Sequence, residues 1–292
     1  MTADAEVRVD IRALVGEGPI WDADEQVLYW IDILSNKLYV YDPVKDENRS
    51  YDVGQHVGTV VPRASGGLML AVYDGFASYN LDSGKLTLIN NPEAHLPGNR
   101  FNDGKCDPAG RFWAGTMAYQ NPSTQGSLYR MDTDLSVHKM LGDIGISNGI
   151  IWSLDNKTMY YADTVANTIR AFDYDPDSGN ISNERVIIQP TKEMGPPDGI
   201  TIDAEGMLWV AHYGGGCARR WHPENGQVLQ TIDLPARQIT ACAFGDKDLE
   251  TLYITSAAQR LDEAALKQQP LAGSLFSVKP GARGIESFKF GG

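Results

Sequence analysis

The chain has 292 residues, 42% hydrophobic and 22% charged, a length and make-up that bury a large core without disulfide or metal staples. Asp and Glu number 38 against 25 Lys and Arg, giving a formal net charge of −13. That balance excludes sequence-independent binding to nucleic acid and docking on an anionic membrane surface, both of which need a basic footprint.

The opening residues MTADAEVRVD carry neither the basic nor the apolar region of a secretory leader. No uninterrupted apolar run approaches the ~20 residues of a membrane-spanning helix. Cys106, Cys217 and Cys242 are widely spaced and form no C-x-x-C pair, so they are expected as reduced packing thiols. The expected compartment is the cytoplasm.

From residue 17 onward one pattern recurs: an approach strand, a turn with Asp and often Gly, an aromatic-rich strand, a polar turn, another strand. It is clearest in GPIWDADEQVLYWIDILSNKLYVYD (18–42), DGKCDPAGRFWAGTM (103–117), NGIIWSLDNKTMYYADTVANTIRAFDYD (148–175) and DGITIDAEGMLWVAHY (198–213). Weaker copies occupy 60–82 and 242–257. With Glu17, Gly58, Asn102, Asn148, Asp198 and Thr240 as equivalent entry points, the spacings are 41, 44, 46, 50 and 42 residues. Each unit has room for about four strands.

The runs LYWID, FWAGT, MYYAD, LWVAH and LYITS combine aromatic, β-branched and small residues between turn formers. Hairpin reversals are expected at Asp24–Glu25, Ser65–Gly67, Ala109–Gly110, Asp155–Asn156 and Glu205–Gly206. Trp30, Trp113 and Trp209 fall at equivalent positions and are expected in the core. One short helix is expected in LDEAALKQQP, before or at Pro270. No linker interrupts the repeats. The fold class is therefore all-β, a six-bladed β-propeller formed as a single domain over residues 1–292.

In such a ring, polar residues at the starts of the innermost strands converge on the axis, where each costs desolvation unless something pairs with it. Glu17 (GEGP), Asn102 (RFNDG), Asn148 (SNG) and Asp198 (PPDG) sit at four of the six entry points. Two carboxylates and two amide carbonyls make an all-oxygen set, suited to a hard divalent cation in a central metal site. Asn-Gly and Asp-Gly taken singly are also ordinary turn dipeptides.

These stretches resemble the SMP-30/gluconolactonase/LRE family, in particular its regucalcin-like members. The resemblance runs through GEGPIW (16–21), RFNDGKCDPAGRFWAGTM (100–117), ISNGIIWSLDNKTMYYAD (146–163), PDGITIDAEGMLWVAHYGGG (197–216) and QPLAGSLFSV (269–278). It implies a metal-dependent lactonase that opens the ring of a sugar-acid lactone, an aldonolactone or aldarolactone. It also implies one divalent ion on Glu17, Asn148 and Asp198: Ca²⁺ first, with Zn²⁺, Mn²⁺, Mg²⁺ or Fe²⁺ as alternatives. Arg100 and Asn102 match substrate-contacting positions. Where regucalcin-like members follow GTM with an alanine and two acidic residues, this chain has Ala118, Tyr119 and Gln120. A neutral amide (Gln120) or a phenol (Tyr119) thus replaces a charged acceptor, which should weaken the preference for a polyhydroxylated neutral lactone and admit an anionic or less hydroxylated one. YQNPSTQG (119–126) reads either as a lid or as a polar loop.

Asp198 is the expected general base as well as a ligand; the alternative is a purely structural ligand. His212 could reach the cavity but is more simply a packed side chain. No G-x-S-x-G elbow occurs, and GGG at 214–216 is followed by no G-K-[ST]. Two other readings stay open: a promiscuous phosphotriesterase or arylesterase on the same metal, and a non-enzymatic calcium-binding propeller. The expected partner is a small sugar lactone, with no nucleic acid and no membrane.

Overall fold

Each repeat unit forms one four-stranded antiparallel sheet in the computed structural model, which describes residues 5–120 and 124–292. Blades 1 to 6 begin with the innermost strands Gly16–Asp22, Val57–Pro62, Asn99–Cys106, Ser147–Trp152, Pro197–Ile202 and Ile239–Gly245. These six strands touch one another in succession, the sixth against the first, so the sheets close into a six-bladed propeller. The inner strands are buried almost throughout, whereas outer strands such as Glu47–Asp52 and Lys85–Asn90 are largely exposed. That gradient follows from the architecture: a blade packs both faces on its neighbours near the axis and diverges from them at the rim.

The turn chemistry explains the repeated Asp-x-x-Gly-x-x-Trp spelling. Asp107 Oδ1 accepts from the backbone N–H groups of Ala109 and Arg111, and its Oδ2 accepts from the Trp113 indole at 2.9 Å. Asp203 repeats the arrangement with Glu205, Met207 and Trp209. One carboxylate thereby closes the hairpin and satisfies the buried indole of the next strand. Trp30, Trp113 and Trp209 are fully buried, as expected. The reversals expected at 24–25, 65–67, 109–110, 155–156 and 205–206 all fall in turns or bends. The helix spans Glu263–Gln268, with the Asp262 side chain capping the Ala265 N–H.

Both ends of the chain complete the ring. Strand Glu6–Val9 is the outermost strand of blade 6 and pairs antiparallel with Leu275–Val278. Beyond residue 280 the chain crosses the lower face as a strap. It contacts blade 5 (Ala204 N to Arg283 O, 2.7 Å), blade 6 (Gly284 N to Leu249 O, 2.8 Å) and blade 2 (Phe290 N to Pro62 O, 2.8 Å). Gly291 N donates to Gly110 O on blade 3, and Lys289 bridges Asp22 and Asp24 on blade 1. Phe290 is fully buried. Ile285–Phe288 pass beneath the axis, sharing a small cavity with Lys105. The three cysteines are buried and unpaired. Among the described residues no helix is long and apolar enough to cross a membrane.

Candidate active site

Every innermost strand breaks register with its neighbour at or beside its entry residue. The irregularities lie between Glu17 and Ile20, Val57 and Thr59, Phe101 and Gly104, Ser147 and Ile150, Pro197 and Ile200, and Ile239 and Cys242. A bulge bends a strand and re-aims a side chain. The Asn-Gly and Asp-Gly pairs are therefore bulges inside strands rather than hairpin turns. Their glycines admit the neighbouring backbone. A Cβ on Gly149 would come within 2.5 Å of Ile200 N, and one on Gly199 within 2.7 Å of Ala241 Cα.

The upper end of the axis opens into a cavity of about 480 Å³ whose lining includes Glu17, Arg100, Asn102, Gln120, Asn148 and Asp198. All six sequence-derived site residues thus share one cavity. Five of them are buried; Gln120 is exposed at the rim beside Tyr119. Residues 121–123 of the 119–126 segment lie outside the described residues.

The hydrogen bonds fix which atoms are free. The Thr164 hydroxyl donates to Pro197 O at 2.8 Å, so its oxygen can only accept from Asn148 Nδ2, 2.9 Å away. That sets the amide and leaves Asn148 Oδ1 as an acceptor, buried and without a donor. Asp198 Oδ1 is likewise buried with no donor. Glu17 Oε2 accepts only the adjacent Gly18 N–H, at 2.8 Å. Asn102 differs: its Nδ2 donates to Ser147 O and its Oδ1 accepts from Arg100 Nη1, both at 2.8 Å. Both ends of that amide are committed, so Asn102 props Arg100 instead of offering an oxygen.

The electrostatics match this division. Burial, then the Asp103 charge, pushes the Glu17 carboxyl up to about 8. Burial and the neighbouring charges of Glu17 and Asp103 push Asp198 well above the usual carboxylate range. Buried acceptors without donors beside two carboxylates that resist ionisation are the chemistry a divalent cation satisfies. The donor set Glu17, Asn148 and Asp198 fits a hard cation on that ground. Among the described residues no three His, Cys, Asp or Glu side chains group to hold a metal, so the Asn148 amide oxygen is integral to the set. Arg100 is pinned by Phe101 O and Asn102 Oδ1 and lies over the Tyr119 ring at 5.9 Å. Burial draws its guanidinium down to about 10, leaving it charged at neutral pH.

His212 does not belong to the cavity. It is fully buried, with Nδ1 on Gly195 O at 2.8 Å and Nε2 accepting from the Trp221 indole at 3.2 Å. Four neighbours escaped the sequence reading. Asp103 adds a third buried carboxylate, which strict strand alternation would turn away from Asn102; the bulge places both inward. Thr164 arrives from the next strand's turn, and Tyr213 and Arg260 from loops. Only the adjacency of Asp103 to Asn102 in RFNDG offered a signal.

The SMP-30/gluconolactonase/LRE-like region matches residues 15–258. YvrE of Bacillus subtilis (strain 168), named provisionally as a sugar lactone lactonase, is 40% identical over 99% of both chains. Regucalcin of Xenopus laevis is 40% identical over 95% of both. The structure of a calcium-binding regucalcin from Agrobacterium tumefaciens superposes with a TM-score of 0.93 at 29% identity, covering 99% of this chain and 97% of that one. With the fold, the bulged entry residues and the matched region in agreement, this chain belongs to the SMP-30/gluconolactonase/LRE-like family.

Proposed function

We propose that the protein is a metal-dependent lactonase that opens the ring of a sugar-acid lactone to the free acid. The observation that carries this reading is the pair of buried, donorless acceptors, Asn148 Oδ1 and Asp198 Oδ1, beside Glu17 on the floor of a polar cavity. Glu17, Asn148 and Asp198 would hold the cation, with Ca²⁺ preferred for an all-oxygen set. Such an ion supplies Lewis-acid polarisation of the lactone carbonyl. Asp198 accepts the proton of the attacking water. As water's oxygen bonds to the carbonyl carbon, the ring C–O bond breaks, and Asp198 returns the proton it took to the leaving alkoxide, which becomes a hydroxyl. Arg100, held rigid by Phe101 O and Asn102 Oδ1, donates to ring oxygens and offsets developing negative charge. Gln120 and Tyr119 contact the substrate's outer part. The buried free thiols accord with a reducing compartment, which we take to be the cytoplasm.

The test is a panel of aldono- and aldarolactones assayed by acid release, after chelation and after separate readdition of Ca²⁺, Zn²⁺, Mn²⁺ and Mg²⁺. Activity that chelation abolishes and one ion restores is the expected result. Tight cation binding with no turnover across the panel would overturn the enzymatic reading in favour of a calcium-binding propeller.

A further inference from the structure

The lactonase reading uses Arg100 but leaves the second cation of the cavity wall, Arg260, without a role. The cavity floor carries Glu17 and Asp198, whose charge the proposed cation balances. Its walls carry two guanidiniums, Arg100 and Arg260. Arg100 starts blade 3, and Arg260 lies in the loop after strand Thr251–Ser256 of blade 6. In a six-membered ring those blades are opposite, so the cations face each other across the mouth.

Neither is held in an ion pair, although Arg100 feels the Glu17 and Asp198 charges on the floor. Among the described residues no carboxylate lies within salt-bridge distance of Arg100 or Arg260, although Asp and Glu outnumber Lys and Arg by 38 to 25 in the chain. The rim residues Leu34, Tyr119, Gln120, Tyr213 and Gln259 are all neutral. Arg100 spends Nη1 on Phe101 and Asn102, while its Nε is buried with no acceptor. Arg260 is exposed, yet its loop is fastened. Gln259 N donates to Leu14 O at 2.9 Å, Ala258 N to Ala13 O at 3.0 Å, and Gln259 Nε2 to the Tyr213 hydroxyl at 3.1 Å. Arg260 itself takes a left-handed φ of 60°, a conformation those bonds hold in place. An unpaired guanidinium carried by a fastened loop at the rim of a cavity is a receptor for an anion.

We propose that the preferred substrates are anionic sugar lactones, carrying a carboxylate or a phosphate at the end remote from the lactone carbonyl, and that Arg260 determines this specificity. The inference rests on the lactonase reading for its substrate class. With the carbonyl at the floor and Arg100 beside the ring, the far end of the molecule reaches the mouth. There a neutral hydroxyl leaves Arg260 with solvent alone, whereas an anion gains a charge-assisted pair.

The test uses three probes on the metal-loaded enzyme: D-glucono-1,5-lactone (neutral), D-glucaro-1,4-lactone (carboxylate) and 6-phospho-D-glucono-1,5-lactone (phosphate). Wild type should favour at least one anionic lactone by about tenfold or more in kcat/KM, chiefly through KM, and rising salt should erode the preference. Which anionic lactone wins separates the carboxylate from the phosphate source. Arg260→Gln should cut that preference about tenfold, and Arg260→Lys should keep part of it. Arg260→Glu should invert it. Because the side chain is exposed, an unchanged melting temperature will confirm that these variants fold. Preference for the neutral lactone, or equal losses on all three probes in Arg260→Gln, overturns the proposal. If no lactone is hydrolysed, the lactonase reading falls, and calorimetry with the open-chain acids still decides the anion site. Glucarate or 6-phosphogluconate must then bind more tightly than gluconate in wild type but not in Arg260→Gln; equal binding overturns the inference.

Discussion

The two ends of the propeller axis are built from the same strands and treat polar groups in opposite ways. At the upper end Asn148 Oδ1 and Asp198 Oδ1 are buried without donors above which a cavity of about 480 Å³ opens. At the lower end the half-buried Lys105 donates through its ammonium to Ile200 O at 2.7 Å and feels the Asp103 charge, beside a cavity of only about 10 Å³. Burial lowers the Lys105 pKa, and Asp103 works against that fall. The lower end carries its own counter-charge and is sealed by the C-terminal strap. At the upper end Arg100 offsets the Glu17 and Asp198 charges only in part, and two buried acceptors stay without donors, which is what a ligand relieves. Stability and chemistry are thus divided along one axis only a few residues long in each strand.

The sharpest way to break this contrast is at Asp198. Asp198→Ala should lower lactonase kcat/KM by at least about 10³-fold and abolish the rise in melting temperature that the added cation gives wild type. Wild-type activity in metal-free Asp198→Ala protein would show that the upper end is not the reactive one. The same position should have the reverse effect on stability: in chelator, Asp198→Asn removes one of three mutually repelling buried carboxylates and should gain about 1–2 kcal/mol in urea unfolding. At the lower end the sign flips. Lys105→Met removes the cation nearest in effect to Asp103 and the bond to Ile200 O, and should cost about 1–3 kcal/mol by the same measurement. Equal effects at both ends would erase the distinction.

A third expectation concerns blade 5, outside both ends. Burial holds the His212 imidazole down to about 4 from an ordinary 6.5. The folded state therefore keeps it neutral while the unfolded chain takes up a proton below pH 6.5, so the stability it protects is present above pH 6.5 and is lost as pH falls toward 4. The loss should approach about 3 kcal/mol, and His212→Gln should flatten that part of the stability profile. The smallest effect is expected at the rim. Gln120→Glu should shift the kcat/KM ratio toward neutral lactones by roughly tenfold, about 1 kcal/mol, if the new charge sits near Arg100. An unchanged ratio would mean that Gln120 faces solvent.

How much of this was legible in the sequence follows from what kind of signal each residue leaves. The blades were readable because turn aspartates and core tryptophans recur with the repeat; Asp107–Trp113 and Asp203–Trp209 are the same bond made twice. The convergence of Glu17, Asn148 and Asp198 was readable because they occupy equivalent positions. Asp103 was hidden by the bulge, since period-two alternation sends neighbours to opposite faces. Thr164 and Arg260 were hidden by topology: nothing local to either says which part of the ring it faces. Lys105, followed by Cys106 and Asp107 in an ordinary strand, gave no hint that its ammonium is internal. The commitment of Asn102 to Arg100, rather than to the floor, depends on a bond within blade 3 and on one from Asn102 to Ser147 O of blade 4, which no spacing encodes.

The pairing of Glu6–Val9 with Leu275–Val278 has a consequence for synthesis. During translation the amino-terminal strand waits for a partner about 270 residues later, so five blades can form while the ring still has an open seam. Until it closes, the apolar faces of the first and fifth blades lie uncovered and strand Leu275–Val278 presents an unpaired edge to strands of other chains. The interval before that pairing is therefore the most aggregation-prone stage of folding. A circular permutant that places all four strands of blade 6 in one continuous segment would move its weak seam elsewhere and should aggregate less during expression.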